Sequence, residues 1–242
     1  MTDARLAAAL VAVLALLGWT ETLEPEPGES TLARAADRLP ARIDGDPAGR
    51  GERGARRNVA FLLYDGMDLV DFAGAGRVFE AAGSGRAFHA YTVAATRGPV
   101  TSQGFARFVP EYGFDDSPPP DVLVVPGGEP AGDVELASWL RSAASEAELV
   151  LSIGTGAYAL ADAGLLDGHR VAVELRSAEA LRTSAPRAEV RPGERLVESG
   201  PLVSASGTDS GFDAALHAVA KLLGPGAARD VARELDYEWL AE

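Results

Sequence analysis

The residues placed to act on a ligand fall in four short stretches, each directly after an apolar run: 65–71, 127–129, 154–156 and Glu174. They offer carboxylates and glycine-rich turns, and they lack a ready nucleophile. The chain has no cysteine, which removes thiolate catalysis, thiolate zinc sites and iron–sulfur clusters. His89, His169 and His217 are scattered without metal-ligand spacing, so no metal is implied. Gly74-Ala75-Gly76 and Gly154-Thr155-Gly156 each begin a G-x-G pattern but lack the third glycine of a dinucleotide fingerprint. There is no phosphate-binding G-x-x-x-x-G-K-[ST] loop, and the G-x-S-x-G elbow of serine hydrolases is also missing. Asp209 and Asp213, near a predicted helix start, are expected to cap it or to sit on its solvated face.

The elements that must position these residues follow from hydrophobic patterning. Short apolar, β-branched runs at 58–64, 89–95, 121–126, 148–153 and 170–174 predict strands buried on both faces of a parallel sheet. Helical spacing is expected at 69–82, 134–147, 155–163, 210–223 and 227–239, and a hairpin at 190–204 turning at Pro192-Gly193. This alternation predicts an α/β domain, a doubly wound and mostly parallel sheet flanked by helices. Ligands bind such sheets beyond the carboxyl ends of the strands, where the four stretches lie.

Upstream of this domain, residues 6–19 form an uncharged apolar run after Arg5, the length of a signal-peptide core but short for a membrane span. The expectation is a signal peptide or membrane anchor over 1–20, hence an extracytoplasmic or tethered protein. The alternative is a cytoplasmic chain whose apolar helix packs on the domain or a partner. Residues 21–57, rich in Pro, Gly, Glu and Arg, read as a flexible linker to the domain at 58–242. The net charge is −14, with only 9 acids and 8 bases in residues 1–57, so the acidity belongs to the domain. That balance, without a helix-turn-helix segment, argues against a nucleic-acid partner.

Read in order, residues 62–80 (LLYDGMDLVDFAGAGRVFE), 121–128 (DVLVVPGG), 151–168 (LSIGTGAYALADAGLLDG) and 206–224 (SGTDSGFDAALHAVAKLLG) resemble the DJ-1/PfpI (ThiJ-like) superfamily. Within it they are most similar to isonitrile hydratases and to the amidase-like domains of AraC-type regulators. The resemblance implies the flavodoxin-like fold of class I glutamine amidotransferases, a homodimer, a small-molecule ligand and no cofactor. It also implies a nucleophilic cysteine on an elbow after the strand at 148–153. Here the elbow position is Gly154, so a thiolate mechanism cannot operate. A histidine position after the next strand becomes Glu174.

What survives of the family site is Asp71, which matches a general acid/base. Gly127 and Gly128 match a turn whose N–H groups face an oxyanion, a role the Thr155 N–H can share at a helix start. The same glycines also suit a purely structural role in turns. Asp71 and Glu174, if close and dry, would raise each other's pKa. Two functions are therefore expected: a non-covalent small-molecule-binding or sensor protein, or a lyase hydrating an isonitrile-like substrate through Asp71 and an activated water.

Overall fold

The computed structural model describes residues 56–239, apart from 130, 131, 208 and 209. The apolar run at 6–19 and nearly all of the linker lie outside the described residues. Within them no helix is long and apolar enough to cross a membrane.

The domain is built on a seven-stranded sheet. In chain order its strands are β1 (Arg57–Leu62), β2 (Phe88–Ala94), β5 (Tyr112–Gly113), β6 (Val122–Val125), β7 (Leu149–Ile153), β10 (Leu196–Ser199) and β11 (Leu202–Ala205). Their spatial order is β10-β11-β7-β6-β1-β2-β5, and every pairing is parallel except β10 with β11. The fold is thus the doubly wound, mostly parallel α/β sheet that the alternation of apolar runs predicts.

Strand residues alternate between two apolar layers. Val59, Phe61, Val122, Val124, Leu149, Leu151 and Ile153 face α1 (Leu69–Ala81), α5 (Ser210–Leu223) and α6 (Pro225–Glu234). Ala60, Leu62, Leu123, Val125 and Val150 face α2 (Val134–Glu146), α3 (Ala157–Asp162) and α4 (Ala178–Ser184). Burying each large apolar side chain contributes about 1.5–3 kcal/mol, so these two layers dominate the domain's stability. Two helix starts are set by aspartates: Asp68 accepts from the N–H groups of Val70 and Asp71, and Asp133 does the same for α2.

Three expectations are corrected. The run at 170–174 does form a strand, β8 (Arg170–Val173), but outside the main sheet: it pairs in parallel with β9 (Glu189–Pro192). The place beside β7 is taken by β11. In consequence β8 is fastened from above by a side chain: Ser204 of β11 accepts from the Ala172 N–H (2.8 Å) and donates to the Val197 carbonyl (3.2 Å). Second, the hairpin is β10–β11 and turns at Gly200-Pro201, because 189–192 is committed to β8 and Pro192-Gly193 merely ends that strand. Third, Asp213 is buried, not solvated. Arg195 and Tyr237 both donate to its carboxylate, so it joins α5 to the segment before β10 and to the chain after α6.

A small hairpin that patterning did not reveal, β3 (Val100–Ser102) with β4 (Ala106–Phe108), is held on the loop after β1. There Thr101 donates its N–H to Asp65 and accepts one from Gly66. Its strands are three residues long, too short for an alternation to register.

Replacing Ser204 by Ala leaves the buried Ala172 N–H without a partner. The expected loss in unfolding free energy is about 1–3 kcal/mol, read from urea denaturation.

Candidate functional site

Four strand ends converge on one edge of the sheet, around a cavity of about 810 Å³. β1 leads into Gly66 and Asp68, α1 carries Asp71, β6 ends in Gly127, Gly128 and Glu129, and β7 ends in Gly154 and Thr155. The segment after β8 contributes Glu174, Arg176 and Ser177. Gln103, Tyr158 and Gly207 complete the wall.

Asp71 lies at the base of this cavity and is 5% exposed. It is not the cap of α1, a role taken by Asp68. Its Oδ2 accepts the Gly127 N–H at 2.9 Å. Burial is the main reason its carboxyl is pushed from the usual 3.8 up to about 7; the Asp68 charge adds to this, the Gly127 hydrogen bond opposes it, and Glu174 adds a smaller share. Asp71 and Glu174 therefore do line one cavity. The stronger like-charge neighbour is Asp68, which patterning along the chain marks only as part of a strand end. Glu174 is itself held by Arg176. Beneath the site Tyr64 donates its hydroxyl to the Pro126 carbonyl (2.7 Å), and burial drives its phenol pKa well upward.

The turn at Gly154 has φ +55°, the left-handed region that glycine occupies without strain. A Cβ at this position would stand 3.1 Å from Asp71 Oδ2, so any side chain here points at the carboxylate. Gly127 is tighter still: its Cβ would lie 2.6 Å from the same oxygen. Gly127 is thus required by the approach of Asp71, whereas a Cβ at Gly154 would need the carboxylate to give by a few tenths of an ångström.

The N–H groups expected to face an oxyanion are engaged within the protein. Gly127 N–H goes to Asp71 and Gly128 N–H to Thr155 Oγ1 (2.8 Å), whose hydroxyl donates back to the Gly128 carbonyl (2.9 Å). Thr155 therefore latches the β6 turn to the elbow. Its N–H lies in a single 3₁₀ turn (Gly154–Gly156), and the six-residue α3 that follows provides little dipole. Ser152, the other hydroxyl near the elbow, is fully buried in β7 and does not line the cavity.

Gln103, Tyr158 and Arg176 also line the cavity, and nothing in the local sequence marks them for it. Gln103 arrives on the β3–β4 turn and donates to Asp68 (3.0 Å). Tyr158 is fixed by a hydrogen bond to the Ser177 carbonyl (2.9 Å). Tyr158 lies within the 151–168 stretch, whereas Gln103 and Arg176 fall outside the motifs; contacts across distant elements place Gln103 and Tyr158.

The structure is a doubly wound sheet with a glycine elbow after β7, facing a buried carboxylate and a Gly-Gly turn at the strand ends, the edge where open α/β sheets bind ligands. The chain matches the DJ-1/PfpI family over residues 57–221 and belongs to that family. It is 30% identical over 183 residues to isonitrile hydratase of Pseudomonas putida, covering 74% of this chain and 78% of that protein. It is also 30% identical over 183 residues to the HTH-type transcriptional regulator CdhR of Pseudomonas aeruginosa, 72% of this chain but 53% of the regulator, so it spans about half of that relative. Among solved structures, a ThiJ/PfpI family protein from Pseudomonas syringae superposes with TM-score 0.68 at 24% identity, over 91% of this chain and 86% of that one. An AraC family transcriptional regulator from Pseudomonas putida gives 0.63 at 22%, over 74% and 99%. At these identities the structures establish the shared fold.

Two outcomes follow for the site. Because the folded-state pKa of Asp71 lies above its unfolded value, its contribution to stability is full below pH 3.8 and is lost as pH rises through about 7. Asp71→Asn, which cannot ionise, should gain on the parent by about 2–4 kcal/mol between about pH 4 and pH 8 in urea unfolding. Gly154→Ala should lower stability by about 1–2 kcal/mol, the cost of a left-handed backbone with a Cβ.

Proposed function

We propose that this DJ-1/PfpI family protein is a non-covalent small-molecule-binding or sensor protein, holding its ligand above Asp71 without forming a bond to it. The observation that carries this reading is Gly154. At the elbow, where the family resemblance places a thiol, the chain presents a hydrogen atom, and no cysteine exists elsewhere to replace it. The Thr155 hydroxyl is closed on Gly128, and Ser152 is buried outside the cavity. A homodimer, as the resemblance implies, and export or tethering through residues 6–19 belong to the same proposal.

One observation favours a second reading, a lyase that adds water to an isonitrile-like substrate to give the formamide. A carboxyl titrating near 7 is suited to exchange protons with water at neutral pH. General acid–base catalysis supplies about 10²–10⁴-fold, whereas enzymes reach about 10⁶ or more, and backbone donors would have to supply much of the rest. With the Gly127 and Gly128 N–H groups engaged, those donors are not turned toward the cavity, which supports binding over turnover.

The test is formamide release from cyclohexyl isocyanide by the purified full chain, beside Asp71→Asn and Gly154→Cys. The binding reading expects no release by the parent. Release by the parent that Asp71→Asn abolishes would replace it with the lyase reading. Turnover gained only by Gly154→Cys would support a pocket that lacks nothing but its nucleophile.

A further inference from the structure

We infer that the Asp71 cavity takes a small organic cation, an alkylammonium or guanidinium group whose N–H donors meet the carboxylates of the lining. This deepens the non-covalent reading and rests on it.

The first observation is a shortage of donors at Asp71. An ionised carboxylate accepts about four hydrogen bonds, and a buried one is costly unless they are made. Asp71 receives one, from Gly127 to Oδ2; among the described residues none reaches Oδ1. The carboxylate lines the cavity, so its remaining acceptor positions face solvent or an occupant there.

The second observation is the sign and direction of the wall. Among the described residues Asp68, Asp71, Glu129 and Glu174 line it against one cation, Arg176, whose guanidinium is bound to Glu174 and whose side chain is 82% exposed. The polar hydrogens that would attract an anion are turned inward: Gly127 N–H to Asp71, Gly128 N–H and the Thr155 hydroxyl to each other's residues, and the Gln103 amide to Asp68. An anionic ligand would meet four carboxylates, with Arg176, already bound to Glu174, as the charged donor of the described lining. A metal ion fits less well than an organic cation, because among the described residues no three of His, Asp and Glu converge closely enough to hold one. A multi-atom cation matches carboxylates spread around a cavity of about 810 Å³.

The site also links binding to protons. Asp71 is faced by Asp68 from the start of α1, by Tyr64 from the end of β1 and by Glu174 from beyond β8, with Arg176 on Glu174; α5 approaches it through Gly211, which brings no charge. A cation favours the ionised carboxyl, so affinity should rise with pH until Asp71 is fully ionised.

The experiment titrates the ¹⁵N-labelled full chain with n-butylammonium, butyramide and butyrate, following the amide signals of Gly127, Gly128 and Gly154. The expected result is a Kd for n-butylammonium at least about tenfold below those of the other two, the size of one charge-assisted hydrogen bond. That Kd should weaken about tenfold in Asp71→Asn and fall as pH rises through the Asp71 midpoint. Asp68→Asn, which keeps the helix cap, should also weaken it, so a folding defect in one variant does not decide the matter. Butyramide or butyrate binding as tightly as n-butylammonium would overturn the cation assignment while leaving a non-covalent pocket in place. No response to n-butylammonium at tens of millimolar would overturn it too. Failure of the underlying reading is recognised separately, as formamide release by the parent.

Discussion

The hydrogen bond from the Gly127 N–H to Asp71 Oδ2 is the constraint around which this site is arranged. It draws the first turn of α1 against the end of β6 and leaves no room for a side chain where they meet. A Cβ on Gly127 would lie 2.6 Å from that oxygen, one on Gly154 3.1 Å from it, and one on Gly211 2.9 Å from the Asp71 carbonyl. Three segments far apart in the chain thus present bare backbone to one aspartate. The two apolar layers on either face of the sheet hold the strand ends in register, and they outweigh the cost of sealing a carboxylate beneath them.

That carboxylate is only partly compensated. One N–H donor lowers its proton affinity, while burial and the Asp68 charge raise it further, and the balance leaves the group titrating near neutrality. The same shortage gives the cavity its character. Donors that the turn geometry would otherwise offer are closed within the protein, by Asp71 on one side and the Thr155–Gly128 latch on the other. The cavity presents acceptors, and at the elbow it presents a hydrogen atom where a reactive side chain would stand. The chain belongs to the DJ-1/PfpI family, and its relatives include an isonitrile hydratase and an HTH-type regulator; this combination is what the non-covalent proposal rests on.

Most of the frame was legible because burial on both faces leaves a strong local imprint. The runs at 121–126 and 148–153 became β6 and β7 within a residue at each end, and 210–223 became α5 with the bounds expected. Errors arose where pairing, not patterning, decides. The segment 170–174 reads like any buried strand, yet β11 occupies the position beside β7, so β8 pairs with β9 and hangs from Ser204. Asp213 looks like a solvated helix residue until Arg195 and Tyr237 close over it.

The sequence by itself determined which chemistry is absent and where the strand ends of the sheet lie. Composition excludes every thiolate, and strand ends in an alternating α/β chain are set by the apolar runs. It also identified Asp71, Gly127, Gly128, Gly154, Thr155 and Glu174 as neighbours of that edge, through motif resemblance. Only the tertiary structure decided what those groups face: that the Gly127 N–H turns to Asp71 and not to solvent, that Asp68 is its principal charged neighbour, and that Gln103, Tyr158 and Arg176 enclose the space above. Hydrogen-bond direction and electrostatic coupling depend on distances between residues tens of positions apart, and no local pattern along a chain encodes such distances.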